Sequence, residues 1–251
     1  MGSFSPKNYL WESLKPYYQM LIIADQRIPE PAGKKLKTYG QVLWMKPDKS
    51  AYLAISAHPD IFVCPVGHQL IIAPNLSGKV KAELQKYRIN YTEGEKPVGR
   101  KYPETARYNA VVTNKFLICN TRFTDQKILG EAGDREVIHV NQGYTRCNLI
   151  PLKNNRFITS DKGIEKTLQQ HRQEILFVEP DGILLPGFRH GFIGGTCGVW
   201  QEKLFFIGSL NHFPDGEKIR KFVQDMEIIE LYDGPLFDGG SILFISQNYF
   251  L

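Results

Sequence analysis

Thiols, imidazoles, carboxylates and guanidiniums are the groups with which this chain could do covalent or acid–base chemistry. The thiols are Cys64, Cys119, Cys147 and Cys197. "GYTRCN" carries Cys147, and Cys197 follows directly on Gly194-Gly195-Thr196. A cysteine becomes a nucleophile where a neighbouring cation or base favours its thiolate. "AHPDIF" holds His58 and Asp60 two positions apart, and an imidazole is suited to proton transfer near neutrality. "FDGGSIL" holds Asp238 ahead of Gly239, Gly240 and Ser241. Arg189 and His190 lie in the long loop "EPDGILLPGFRHGFIGG", and Arg107 closes a second, "YTEGEKPVGRKYPETAR". Long loops at one end of a scaffold often build sites.

Each of these groups also has a plainer reading. Cysteine is commonly a small buried hydrophobe, and Cys64 and Cys119, in or beside apolar runs, read as core. His-Pro-Asp and Asp-Gly-Gly are ordinary turn chemistry. "CPVGH" gives Cys64 and His68 a C-x3-H spacing, but zinc needs three or four convergent ligands and no second pair matches. No metal or other cofactor is therefore expected. Gly194-Gly195 precedes a strand rather than opening a helix, which suits close backbone approach and not a phosphate cradle.

The elements that must position these groups recur along the chain. Hairpins of two apolar runs around a polar turn begin at Asp60, Asn109, Asn148 and Gly198. Their turns, such as Thr113-Asn114-Lys115, Asn154-Asn155-Arg156 and Gln201-Glu202-Lys203, fill one slot. An amphipathic helix follows each hairpin. Its apolar stripe is Val80, Leu84 and Tyr87 in the first repeat and Ile164, Leu168 and His171 in the third. A third strand follows each helix, predicted at Ile89–Tyr91, Glu136–Val140, Glu174–Val178 and Glu227–Leu231. The unit is ββαβ. Strand, short helix and strand over Gln19–Lys46, joined to a last strand within Phe237–Ile245, complete a fifth unit from the two ends. The expectation is an α/β-propeller of five ββαβ repeats about a pseudo-fivefold axis, closed by its N- and C-terminal strands. It occupies residues 19–245 as a single domain behind an extension of residues 1–18.

The 251 residues carry a net charge of +5, with no long basic run. Lys34, Lys35 and Lys37, and Arg100 with Lys101, are the densest patches, and solvated helix faces account for such clusters. Nucleic acid is not the expected partner. No apolar run reaches the 18 residues of a membrane span, and the N-terminus lacks a secretory core. Four cysteines without a CxxC pair read as free thiols of a cytoplasmic protein.

Five ββαβ units closed by the chain's own ends resemble the pentein fold of guanidino-group modifying enzymes: arginine and agmatine deiminases, dimethylargininase and amidinotransferases. A ribosome anti-association factor, not an enzyme, shares it. "AHPDIF" resembles the family's H-x-D, which implies a catalytic His58 and a guanidinium-binding Asp60. "FDGGSIL" resembles its acid-Gly-Gly-Asp-Val motif, with Asp238 as the acid and Ser241 in place of the following Asp. The family's nucleophilic cysteine lies near its C-terminus, whereas no cysteine follows Cys197 here. Taken around the ring, Asp238 lies one unit before His58, and Cys147 lies two units after it. That cyclic order implies Cys147 as nucleophile, with Cys197 the second candidate. The implied function is a hydrolase or transferase of the guanidino-modifying type. It would act on a small cationic, amino-acid-like substrate bound by Asp60, Asp238, Arg189, Arg107 and His190. The alternatives are a non-catalytic pentein that binds a ribosome, RNA or protein partner, and a small-ligand binding protein.

Overall fold

Runs of three to five apolar residues that are buried on both faces form the middle strand of a covered sheet. Five such runs, two of them ended by a buried polar residue (Asp25 and Thr159), organise the molecule: Leu21–Asp25, Leu70–Ile72, Phe116–Cys119, Phe157–Thr159 and Leu204–Phe206, every residue of them buried. The computed structural model describes residues 20–67 and 69–245. Gln19, the extension of residues 1–18 and His68 lie outside the described residues.

Each run is the centre of a three-stranded sheet. In chain order the strands are β1 (Leu21–Asp25), β2 (Gln41–Met45), β3 (Val63–Val66), β4 (Gln69–Ile72), β5 (Tyr91–Glu93), β6 (Val111–Val112), β7 (Phe116–Cys119), β8 (Glu136–His139), β9 (Leu149–Pro151), β10 (Arg156–Thr159), β11 (Glu174–Phe177), β12 (Cys197–Trp200), β13 (Lys203–Phe206), β14 (Glu227–Glu230) and β15 (Leu243–Ile245). In four sheets a hairpin is antiparallel, as in β3–β4, and the third strand returns parallel to the middle one after a helix. The fifth sheet repeats this with β15 as its first strand. It lies antiparallel to β1, with Leu21 opposite Ile245, and β2 runs parallel on the other side. This is the pentein fold, its last sheet shared by the two ends of the described chain.

Why the middle strands are apolar throughout is visible in what covers them. The repeat helices, Gly78–Lys86, Gln126–Gly130, Lys162–Gln170 and Gly216–Phe222, turn Val80, Leu84, Ile128, Ile164, Leu168 and Ile219 inward. Asp161 caps the third of them by accepting from the Ile164 amide, and Asp125 caps the second through the Lys127 amide. His171, on the predicted stripe, is instead exposed and meets Glu136 at 2.7 Å. Neighbouring sheets touch through their first strands, β3 with β6, β9 with β12 and β12 with β15, which puts those strands around the axis.

One predicted strand is displaced. The first repeat's third strand is Tyr91–Glu93, not Ile89–Tyr91. Arg88 takes a left-handed conformation (φ 54°), and the Ile89 amide turns back to the Leu84 carbonyl, so Ile89 closes the helix. Arg172 (φ 57°) and Gln173 do the same in the third repeat.

Candidate active site

The segment entering each first strand ends near the axis, and there the five sheets meet. His58 is the N-cap of a one-turn helix, Pro59–Phe62, that runs straight into β3, and Pro59 supplies a ready-made first helical φ. Cys147 lies in the equivalent turn, Thr145–Asn148, ahead of β9. A 3₁₀ turn, Ile193–Thr196, precedes β12. Asn109 lies two residues before β6, and Ser241 two before β15.

These five segments are joined by hydrogen bonds. The Cys147 thiol donates to Asp60 Oδ2 at 3.1 Å and accepts from Asn109 Nδ2 at 3.2 Å. Asn109 also donates to the Asp60 carbonyl and accepts from the Cys147 amide, both at 3.1 Å. The Ser241 hydroxyl lies 2.8 Å from Asp60 Oδ2 and 3.0 Å from the Gly194 carbonyl, with one proton to give. Asp60, Asn109, Cys147 and Ser241 are all buried. Asp60 Oδ1 is buried without a hydrogen-bond partner among the described residues.

Beside this ring stands a second cluster. The two nitrogens of His58 lie 3.8 Å from Asp238 and 3.9 Å from Asp25. Asp238 is fixed by amides, Phe192 to Oδ2 at 2.9 Å and Gly240 to Oδ1 at 3.1 Å. Asp25 is wrapped by Arg27, whose guanidinium also donates to the Leu53 and Ala54 carbonyls. Glycine is required where these segments cross. A Cβ on Gly195 would lie 1.9 Å from Asp238 Oδ1, one on Gly194 2.2 Å from the Arg146 carbonyl, and one on Gly240 (φ +69°) 2.1 Å from the His58 Cβ. Of the double glycine ahead of Cys197, Gly195 thus admits the acid segment and Gly194 the Cys147 turn, as close approach required.

Burial sets the protonation. It pushes the His58 imidazole down to about 3, with the Arg27 charge acting the same way. It pushes Asp238 up to about 7, assisted by the charges of Asp60 and Asp25. Asp60 is raised by burial, against the hydrogen bonds from Cys147 and Ser241. The Cys147 thiol is pushed well up by burial and by the Asp60 and Asp238 charges, so it is a protonated thiol at neutral pH.

A cleft of about 540 Å³ opens onto the second cluster. His58, Asp238 and Asp25 form its polar side, and Tyr52, Leu53, Phe188 and Phe237 its apolar walls. Phe188 comes from the first long loop, which is stitched to the acid motif by Leu184 N–H to Leu236 and Asp238 N–H to Leu184. Cys147 lies behind the cleft lining. Tyr52, whose hydroxyl meets that of Tyr144 at 3.3 Å, is close enough to Cys147 and Asp238 for both charges to act on its phenol.

His58, Asp60, Cys147 and Asp238 are therefore brought together. The other sequence candidates are elsewhere. Cys197 is buried at the head of β12, its thiol 3.7 Å from the Gly194 carbonyl and pushed up to about 12 by burial. Arg189 is 85% exposed and pairs with Asp181 at 3.7 Å. His190 contacts the Gly191 carbonyl at 3.0 Å and does not line the cleft. Arg107 borders a separate cavity of about 130 Å³ near Glu104, with its guanidinium on the Pro97 carbonyl. Cys64 and Cys119 are buried, with thiols pushed up to about 12 and about 11. Sequence reasoning did not name Asn109, Asp25, Arg27 or Tyr52 as site residues. Asn109 opens its hairpin in the slot that Asp60 opens in another, which is the signal that could have found it.

Solved structures share this architecture at low sequence identity. The DDAH of Pseudomonas aeruginosa complexed with citrulline matches with a TM-score of 0.52 at 11% identity, over 85% of this chain and 92% of that one. A dimethylarginine dimethylaminohydrolase adduct with S-methyl-L-thiocitrulline gives 0.55 at 12%, over 84% and 92%. An amidinotransferase from Microseira wollei gives 0.51 at 13%, over 84% and 88%. No curated protein matches the sequence. A family model described as Family of unknown function (DUF6873) matches residues 23–243.

Proposed function

The chain belongs to the DUF6873 family, and we propose from its site that it is a cysteine-dependent enzyme of the guanidino-modifying type, acting on a small organic cation. The observation that carries this reading is the Cys147–Asp60 hydrogen bond where all five sheets meet, with Asp60 Oδ1 unpaired beside it. A guanidinium offers N–H donors in a planar fork that such an oxygen and Asp238 suit. Three buried carboxylates, Asp25, Asp60 and Asp238, favour a cation, and the one arginine on the cleft, Arg27, is committed to Asp25 and to carbonyls. The cleft therefore offers no cation to a substrate carboxylate, and its walls suit an apolar body behind a cationic head.

In this reading the resting thiol is neutral until the substrate arrives. A unit cation about 4 Å from a developing thiolate contributes on the order of 4 kcal/mol at an effective dielectric of about 20. Asp60, which already accepts the thiol's hydrogen bond, takes the thiol proton as Sγ bonds to the guanidino carbon. A C–N bond then breaks, and the departing amine takes that proton. Water, or an amine in a transferase, adds to the same carbon and loses a proton to His58. The C–S bond breaks, and Cys147 regains its proton. The raised thiol favours a second reading, reversible binding of a cation without turnover.

One labelling experiment separates these. A haloacetamidine, cationic and alkylating, should modify Cys147 at least tenfold faster than iodoacetamide does at neutral pH, as read by peptide mass spectrometry. Asp60→Asn should remove that preference. Slow, equal labelling of all four cysteines by both reagents would refute the enzyme reading. A guanidine that raises the melting temperature without any Cys147 adduct from the cationic reagent would establish the binding protein instead.

A further inference from the structure

A second mouth opens at the hairpin turns, at the far ends of the first strands from the Asp60–Cys147 ring. We propose that this mouth binds a small dianionic oxyanion, held by Arg146 and Arg135. The inference is independent of the proposed activity.

The cavity there measures about 550 Å³ and is lined by segments of all five sheets. Among the described residues its ionisable lining is Arg135, Arg146 and Lys153, with no carboxylate. Lys153 is neutralised by Glu202 at 3.2 Å and Asp225 at 3.3 Å. Arg135 is held rigid by the Thr113, Glu131 and Ala132 carbonyls, which leave its charge unpaired. The Arg146 side chain makes no hydrogen bond among the described residues and its Nε is buried without an acceptor, although its charge reaches Asp60 across the ring and acts to hold that carboxyl down. A guanidinium N–H buried in that way carries a desolvation cost that an anion's oxygen removes.

Neutral donors converge on the same place. Gln69 opens β4, Asn155 and Gln201 lie in two other hairpin turns, and all three line the mouth. Gln69 uses its carbonyl oxygen to accept from Thr92, which leaves its amide N–H₂ to be directed elsewhere. Arg135, which meets no carboxylate among the described residues, Arg146 with its unpaired Nε, and several amides match an anion of charge about −2 with several oxygens. The cavity is larger than a bare phosphate needs, so the ligand class is a metabolite bearing a phosphoryl group or two carboxylates. At the opposite mouth, by contrast, carboxylates outnumber the single arginine.

Titration calorimetry at constant ionic strength tests this with inorganic phosphate, pyrophosphate and succinate as probes. One saturable site for at least one probe is expected. Its affinity should fall at least tenfold in Arg146→Gln and in Gln201→Glu, and the latter adds a carboxylate to an exposed turn without disturbing the core. Preference for pyrophosphate assigns phosphoryl chemistry, and preference for succinate assigns paired carboxylates. Cys147→Ser should bind the anion as the wild type does, whatever its effect on thiol labelling. Absence of saturable binding by all three probes, or binding unchanged by Gln201→Glu, overturns the site.

Discussion

Near pH 5 His58 and Asp238 hold one titratable proton between them, and its location differs between the folded and unfolded chain. Unfolded, the proton is on the imidazole, whose ordinary value is 6.5; folded, the ring is pushed down to about 3. Unfolded, Asp238 releases its proton near 3.8; folded, it keeps it to about 7. Between pH 4 and 6.5 the Asp238 shift makes the native state bind more protons, so stability falls as pH rises. The His58 shift makes the unfolded state bind more, so stability rises with pH. Each slope is about 1.4 kcal/mol per pH unit at its limit, and they oppose. Removing one partner should expose the other. The thermal midpoint of Asp238→Asn should climb from pH 4 to 6.5, that of His58→Asn should fall, and the wild type should lie between. Parallel profiles for all three would show that the two groups are not linked to folding in this way. The same residues show what the sequence could tell. His58, Asp60 and Asp238 were visible because short motifs set them beside proline or glycine. Asn109 could have been found from its slot, which matches that of Asp60, but Asp25 ends an unremarkable apolar strand, so only the folded ring gives it a place. The arginines of the long loops looked like carboxylate receptors because loop length says nothing about which way a side chain turns.

At the scale of the element, the site depends on short turns that hand their last residues to a first strand. Glycine does the joining. Gly195→Ala should force Asp238 off its amides, since the new methyl would sit inside its carboxylate. A cost of about 1–3 kcal/mol is expected from such overpacking, together with loss of the Cys147 preference for the cationic alkylator. Unchanged melting and unchanged labelling would mean that the acid segment is free to move. The ββαβ order was legible because apolar period and turn residues changed together along each repeat. The register at the strand entrances was not. Cys147 lies within a helical turn ahead of its strand, and Ile89 closes a helix rather than opening a strand, because a left-handed residue such as Arg88 leaves no clear mark in a sequence.

Taken whole, the molecule is a ring whose seam is the pairing of Leu21 with Ile245. Phe205 lies across that seam, edge-on to Tyr39 at 4.9 Å and tilted against Phe244 at 4.6 Å. The seam pairs residues from opposite ends of the described chain, and such distant contacts are the slow ones to form. A permuted chain that opens at the exposed Gly133 and joins the original ends should fold and retain cation-dependent labelling of Cys147. A permutant that melts cooperatively but labels all four cysteines alike would show that the seam itself tunes the site. The five-unit count was legible in the sequence only because the two tails, each too short for a repeat, were complementary.

A wheel assembled in this way has no privileged first spoke. In the proposed reading, the order of Asp238, His58 and Cys147 around the hub matters, and their order along the chain does not. A search that demands these groups in one fixed linear order would pass over such a chain, whereas a search for the same cyclic order would find it.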